Sequence, residues 1–433
     1  MRKLSATTAY MAYSAGHGVL FQLMSTIYSV FVILELGLDP LQLVLLGTIL
    51  EGTYLLFEVP TGVVADTFGR RASIVVSLIG SGVAFFLLGV ANSFAMAILS
   101  QALWGVFATF SSGADVAWLT DEIGEDRARE YYVKSEQAWH LGAFVGIGAA
   151  VALGSISFRL PLIVCGVGFA MLGIWLAFVM PEERFQRRER AVGERVHHGM
   201  VRTFKDGVTQ VRAHHILLLI IATAALHGAS TEGADRLSDL HVLCDVGLPG
   251  VGTPCEAGEV RAGFDLVVWF GVLDGVALLI GFAGLHVMLK RVHLVGHAHV
   301  ARVLAAVDVL LIASVVVFGI TGAFWLALAM FWMAGALRSV REPIFTAWVN
   351  QGLESATRAT INSMASQADA VGQTAGGPVL GVIARQASVP WALVTSGLLR
   401  APALLLYLVA IRRGSVGTAA PSEIEYELEL GEE

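Results

Sequence analysis

The sequence reads as an all-α integral membrane protein of twelve transmembrane helices in two pseudo-symmetric six-helix bundles. Three observations carry that reading. Hydrophobic types make up 56% of the 433 residues and charged types only 15%, whereas a soluble domain carries about 25% charged residues. Long apolar windows recur along the whole chain with short polar breaks between them. One constant offset of 230 positions relates two regions of the sequence.

The spans are taken in order. Windows of about 18 or more mostly apolar residues mark a crossing helix. They fall at 12–36, 41–65, 72–91, 94–119, 135–154, 160–180, 213–237, 264–289, 303–320, 323–349, 360–385 and 391–411. The first follows Met1-Arg2-Lys3 and runs past Leu34. That is longer than the apolar core of a cleaved leader, so it is read as a retained span. The breaks carry loop chemistry, as in Gly37-Leu38-Asp39-Pro40 and Ser388-Val389-Pro390. The stretch 181–212, with eight Lys/Arg and five acids, separates a first bundle (1–180) from a second (213–413). It is expected to form an interfacial amphipathic helix. The tail 414–433 holds six acids and no base and reads as a solvated end.

Lys and Arg concentrate in the segments that share a side with the two termini, including Arg70, Arg71, Arg127, Arg129, Arg412 and Arg413. The positive-inside rule therefore places both termini in the cytoplasm. The loop 241–262 then lies outside, and it contains Cys244 and Cys255; Cys165 sits inside span six. Two cysteines flanking one loop in an oxidising compartment are expected to pair as a disulfide.

The offset of 230 matches Ala117-Trp118 with Ala347-Trp348, Gln137-Ala138 with Gln367-Ala368, and Gly142 and Gly146 with Gly372 and Gly376. It maps spans four and five onto spans ten and eleven, the parallel repeat of a two-bundle transporter. A weaker echo sets Glu51-Gly52 against Asp274-Gly275.

Several function classes are disfavoured. The net charge of −7 argues against nucleic acid. The sequence shows no phosphate-cradling glycine loop and no Ser/His/Asp constellation, so neither an ATP-driven pump nor an enzyme is expected. No His spacing organises a metal site. No cofactor is expected, and a proton gradient is the anticipated driving force.

Between spans two and three stands Gly62-Val63-Val64-Ala65-Asp66-Thr67-Phe68-Gly69-Arg70-Arg71. This resembles the signature loop of the major facilitator superfamily, with Thr67 at its first basic position. The resemblance covers the whole chain and implies the major facilitator fold. It implies that Asp66, with Gly62, Gly69, Arg70 and Arg71, forms a latch against the N-terminus of span eleven near Thr360. A helix N-terminus carries about half a positive charge and favours a carboxylate. Drug-exporting branches carry an arginine in span four where this chain has Gln101, and a proline pattern in span five that is missing here. A Gly376-Gly377-Pro378 run stands in span eleven instead.

Ionisable groups inside a bilayer are costly and mark pathways or proton relays. At depth this sequence has more acids than bases, so some carboxylates are expected to carry protons during a cycle. Glu51, Asp274 and Asp369 lead as proton-coupling candidates, because the family uses span pairs two/eight and five/eleven at the interface between halves. Glu58 and Asp115 follow, with a place in the latch as their alternative. For each acid the competing reading is a static ion pair, as between Asp369 and Arg400. In the family, spans one, four, seven and ten line the cavity. That implies a wall of His17, Gln22, Trp104, Phe107, His227 and Trp332, suited to amphipathic and cationic ligands. An aromatic belt facing lipid is the alternative for such residues.

The sequence therefore predicts a secondary active transporter in a bacterial inner membrane, resembling proton-coupled drug-efflux members. Its expected partners are a small-molecule substrate, protons and lipids, and the resemblance implies a monomer. The first rival is a transporter of one polar metabolite, which many convergent polar contacts in a small cavity would favour. The second is a lipid transporter or sensor on the same fold.

Overall fold

A computed structural model describes residues 3–185, 215–256, 264–291, 296–351 and 355–414. The first half comprises α1 (Ala6–Val30, continued by a π turn over Phe31–Glu35), α2 (Pro40–Phe68), α3 (Arg70–Gly89), α4 (Phe94–Ala108), α5 (Ala114–Ile123), α6 (Glu125–Gly154) and α7 (Arg159–Val179). The second comprises α8 (His215–His241, continued over Val242–Val246), α9 (Phe264–Arg291), α10 (His297–Ile320), α11 (Phe324–Asn350), α12 (Ser355–Gln386), α13 (Val389–Leu399) and α14 (Ala401–Gly414). Span four is thus split into α4 and α5, and span twelve into α13 and α14. Among the described residues nine helices are long and apolar enough to cross a membrane. The spans outside that set are four, ten and eleven. Most of the expected linker helix and the acidic tail lie outside the described residues.

Local sequence explains the boundaries. Asp39 and Gln42 form a reciprocal capping box ahead of α2, with Pro40 opening the helix. Span four breaks over 109–113, and Gly113, whose φ of +72° suits glycine, caps the start of α5. Span twelve breaks at Arg400, just before Pro402, which cannot continue the hydrogen-bond ladder. Helix α6 begins ten residues before the expected crossing segment (Glu125 against 135), because its charged first turns form helix without entering the apolar layer.

In each half the first helix packs along the fifth span, α1 on α6 and α8 on α12. The halves join through α2 against α12 and α6 against α9. The tryptophans of the repeat, Trp118 and Trp348, are both fully buried. Cys244 and Cys255 are joined in a disulfide with a Cα–Cα distance of 5.2 Å. On this disulfide face the halves are in contact. Asp39 pairs with Arg385 at 3.9 Å, Gly154 lies against Val267, and Gly381 lies against Leu41. Toward the terminal face, where Leu4 and α14 lie, they part around a cavity of about 760 Å³ between α6, α9 and α11.

Candidate functional site

Asp274 on α9 lies where the halves meet. Thr26 Oγ1 donates to its Oδ2 at 2.6 Å and Gln22 Nε2 donates to the same oxygen at 2.9 Å. Gln22 also reaches Thr26 Oγ1 at 3.2 Å. Both donors stand on α1 and both are buried. The second half's carboxylate is therefore held by neutral donors of the first. Donors to a charged acceptor form the stronger class of hydrogen bond.

Three cavities border Asp274. The 760 Å³ cavity reaches it from the terminal face, past Val133, His140 and Phe282. A second, of about 230 Å³, lies between the halves and is walled by Phe21, Tyr28, Trp104, Arg236 and Asp239. A third, also about 230 Å³, lies inside the second half, between α8, α9, α10, α11 and α13. Its wall combines hydroxyls (Ser230, Thr231, Ser238, Ser396) with Asp235, Asp239, Arg338 and Arg400.

The charges around these cavities are organised. Arg338 grips Asp235 with both terminal nitrogens, one at 2.8 Å from Oδ2. Arg236 donates to the buried Glu232 at 3.1 Å. Gly47 of α2 leaves room for this pair, since a Cβ there would collide with Glu232 and Arg236. Asp308, fully buried on α10, accepts from Arg341 at 3.0 Å, Arg400 at 3.3 Å and Tyr407 at 2.8 Å. Arg400 also donates to Ser230 Oγ at 2.8 Å. By contrast, among the described residues no lysine or arginine forms an ion pair with Asp239 or Asp274.

The sequence-predicted residues divide. Asp274, Gln22 and Trp104 gather at the cavities. Four of the expected wall residues do not. His17 points into the first half, its ring against Phe169 and Phe21, and Trp139 Nε1 donates to its Nδ1 at 3.4 Å. Phe107 packs over Gly80 of α3. Trp332 turns its Nε1 to the Leu273 carbonyl at 3.1 Å, while its neighbour Phe331 faces the cavity inside the second half. His227 lines none of the three cavities, and its Nδ1 is buried without a partner among the described residues. The expected wall assembles only in part: Trp104 joins Phe21 and Tyr28 at the cavity between the halves, while His17 and Phe107 turn into the first bundle.

The acids divide too. Asp369 accepts from Gln373 at 2.7 Å, and Arg400 pairs with Asp308, so the anticipated Asp369–Arg400 pair does not form. Glu51 sits one turn past Gly47 on α2, half-buried beside the interface. Asp115 bonds the Val116 N–H at the start of α5, and Glu58 lies among exposed apolar residues Leu56, Phe57 and Val59. In the signature loop, Gly69 has φ +113° and Arg70 pairs with Asp121 at 2.6 Å. The Arg71 N–H donates to Glu182 at 2.8 Å. The loop is thereby anchored within its own half. Asp66 is half-buried, and no described side chain pairs with it; the side chains of 355–360 lie outside the described set. Sequence reasoning passed over Asp239 and Tyr407. Asp239 was legible as the i+4 partner of Asp235 on one helix face.

A family model described as Major Facilitator Superfamily matches residues 6–292. The chain is similar to an uncharacterized MFS-type transporter, YxaM, of Bacillus subtilis (strain 168). The two are 23% identical over 375 residues, which cover 86% of this chain and 88% of that one. Among solved structures it resembles a mutant of the nucleoside transporter NupG (TM-score 0.75, 10% identity, 94% of this chain and 100% of that one). It also resembles a bacterial homolog to the human lysosomal transporter Spinster in an inward-facing, unoccupied conformation (TM-score 0.70, 14% identity, 96% and 98%). A third is a POT family transporter in complex with 5-aminolevulinic acid (TM-score 0.72, 12% identity, 95% and 96%). At these identities the structural likeness shows the fold.

Proposed function

The chain belongs to the Major Facilitator Superfamily, and from that premise we propose that it is a proton-coupled secondary transporter of a small polar solute, with Asp274 as the proton site. It is a multi-pass membrane transporter of that superfamily. The observation that carries the finer reading is Asp274 itself. It borders three cavities, accepts two hydrogen bonds across the interface, and has no ion-pair partner among the described residues.

The mechanism follows from those bonds. The ionised carboxylate draws Thr26 and Gln22 toward α9 and holds the disulfide face shut. Protonation removes the charge, and bonds to a neutral acceptor are about half as strong. The contact loosens and the halves can rock about the site, in alternating access. The Arg/Lys bias places the terminal face in the cytoplasm and the disulfide loop outside. The two smaller cavities set acids, arginines and hydroxyls among apolar side chains such as Leu311 and Phe331, and their size favours a small solute with polar groups over a large amphipathic one. The fold neighbours named above include a nucleoside transporter and a POT family transporter holding 5-aminolevulinic acid, so this fold accommodates polar solutes. Proton-coupled efflux of amphipathic molecules, the reading the sequence preferred, becomes the second reading. It is favoured by the 760 Å³ cavity, whose wall includes Val133, Leu278 and Phe282.

The test uses purified protein in liposomes that enclose a pH-sensitive dye. Nucleosides, dipeptides, amino acids and ethidium are added one class at a time. One polar class should trigger proton movement in the wild type, and Asp274→Asn should lose that signal while retaining solute exchange. Proton movement unchanged in Asp274→Asn would remove Asp274 from the proposal. A response to ethidium alone would transfer it to the efflux reading.

A further inference from the structure

The geometry points to a specificity site for a small zwitterion, carrying both an ammonium and a carboxylate, in the cavity inside the second half, entered past Gly335. This rests on the reading of the chain as a solute transporter and names the solute's class.

The cavity holds about 230 Å³. At ~30 Å³ per water that is room for roughly eight waters, hence for a solute of about that many non-hydrogen atoms. Its charges are segregated along α8. Arg400 is bonded at Ser230 and Arg338 at Asp235, while Asp239 lies further toward the disulfide face, beside Asp274. At 1.5 Å rise per residue, Asp239 stands about 6 Å beyond Asp235 and about 13 Å beyond Ser230. One end is lined by Arg338 and Arg400 together with Asp235, which Arg338 holds, and the other by Asp239 and Asp274, two carboxylates that have no basic partner among the described residues. Both guanidinium groups keep N–H donors beyond those their protein partners use. A lone cation would leave the arginine end unused, and a lone anion would face two carboxylates. A solute with both groups a few bonds apart satisfies both ends, and the hydroxyls of Ser238 and Ser396 flank its body.

The entrance gives independent support. Gly335 on α11 and Ala277 on α9 line both this cavity and the 760 Å³ cavity open toward the terminal face. A Cβ built at Gly335 meets nothing within 4 Å. Helix packing therefore does not require glycine there, although glycine inside a helix costs about 0.5–1 kcal/mol relative to alanine. A β-branched side chain there would project into the doorway between the two cavities, whereas a single methyl leaves it open.

The experiment is direct binding to purified protein in detergent, with no gradient. Probes are glycine, β-alanine, γ-aminobutyrate and ε-aminocaproate, with butylamine and butyrate as single-charge controls. One amino acid should bind saturably and at least tenfold more tightly than either control. Asp239→Asn should weaken it at least tenfold. Gly335→Val should abolish binding, and Gly335→Ala should retain it. Equal binding of butylamine, no binding by any zwitterion, or unaltered binding in a folded Gly335→Val would overturn the site. If Gly335→Val does not fold, Asp239→Asn decides. Zwitterion binding without proton coupling would leave this site standing and sink the Asp274 proton reading. Proton-driven transport of another solute, undiminished in Gly335→Val, would do the reverse.

Discussion

The two halves share a packing register and differ in chemistry. In the first, Gly18 of α1 lies against the Trp139 carbonyl, and Gly142 and Gly146 of α6 lie against those of Ala15 and Val19. In the second, Gly228 lies against the Asp369 carbonyl, and Gly372 and Gly376 lie against those of Ala225 and Ala229. Positions in α1 and α8 are related by 210 and those in α6 and α12 by 230, so the same three contacts occur twice. Ala-x-His-Gly stands in both first helices, at Ala15–Gly18 and Ala225–Gly228. The ion pairs around the cavities are not duplicated. Glu232–Arg236, Asp235–Arg338 and the Asp308 cluster all lie in the second half. To the central site the first half contributes an amide and a hydroxyl, Gln22 and Thr26. Backbone fit sets the shape of both bundles, while charge, and with it the means of responding to protons and polar solutes, is concentrated in one.

Substitutions can break or sharpen this contrast. The largest expected effect is in the charged half. Arg341→Met leaves Asp308 buried with one arginine, and removing one partner of a buried ion pair costs about 3–5 kcal/mol. Thermal unfolding in detergent should show that loss, and Asp308→Asn in the same chain should recover part of it. The shared register predicts equal effects in the two halves. Gly142→Ala and Gly372→Ala each force a methyl onto a facing carbonyl and should each cost about 1–3 kcal/mol. A large effect in only one half would show that the repeat is not equally tight. The smallest effect is expected in the first half. Gln101 is fully buried with neither amide atom partnered among the described residues. Gln101→Leu removes those groups at similar volume and should stabilise by about 1 kcal/mol.

These residues also show what was legible in the sequence. The repeated glycines and tryptophans could be read directly, because close helix approach leaves a compositional mark at fixed spacing. The place of each charge along its helix could be read from its distance to the span ends. Partnership could not, because it depends on helix rotation. Arg400 pairs with Asp308 rather than Asp369 where Pro402 breaks the last span. Phe107 and Trp332 turn into their own bundles for the same reason. Asp274 stood out because it combined mid-depth with a place in a span that the family sets at the interface. Its donors, Thr26 and Gln22, belong to a surface that only the folded contact between α1 and α9 defines.

If, as proposed, the charge on Asp274 holds the disulfide face shut, neutralising it should bring the halves together at the terminal face. The most direct measurement is the distance between spin labels at Val133→Cys on α6 and Ser339→Cys on α11, which flank the cavity at the terminal face, followed from neutral to acidic pH. Distances should shift toward shorter values on acidification in the wild-type background. Asp274→Asn should show those shorter distances at every pH. An identical pH response in both proteins would contradict it.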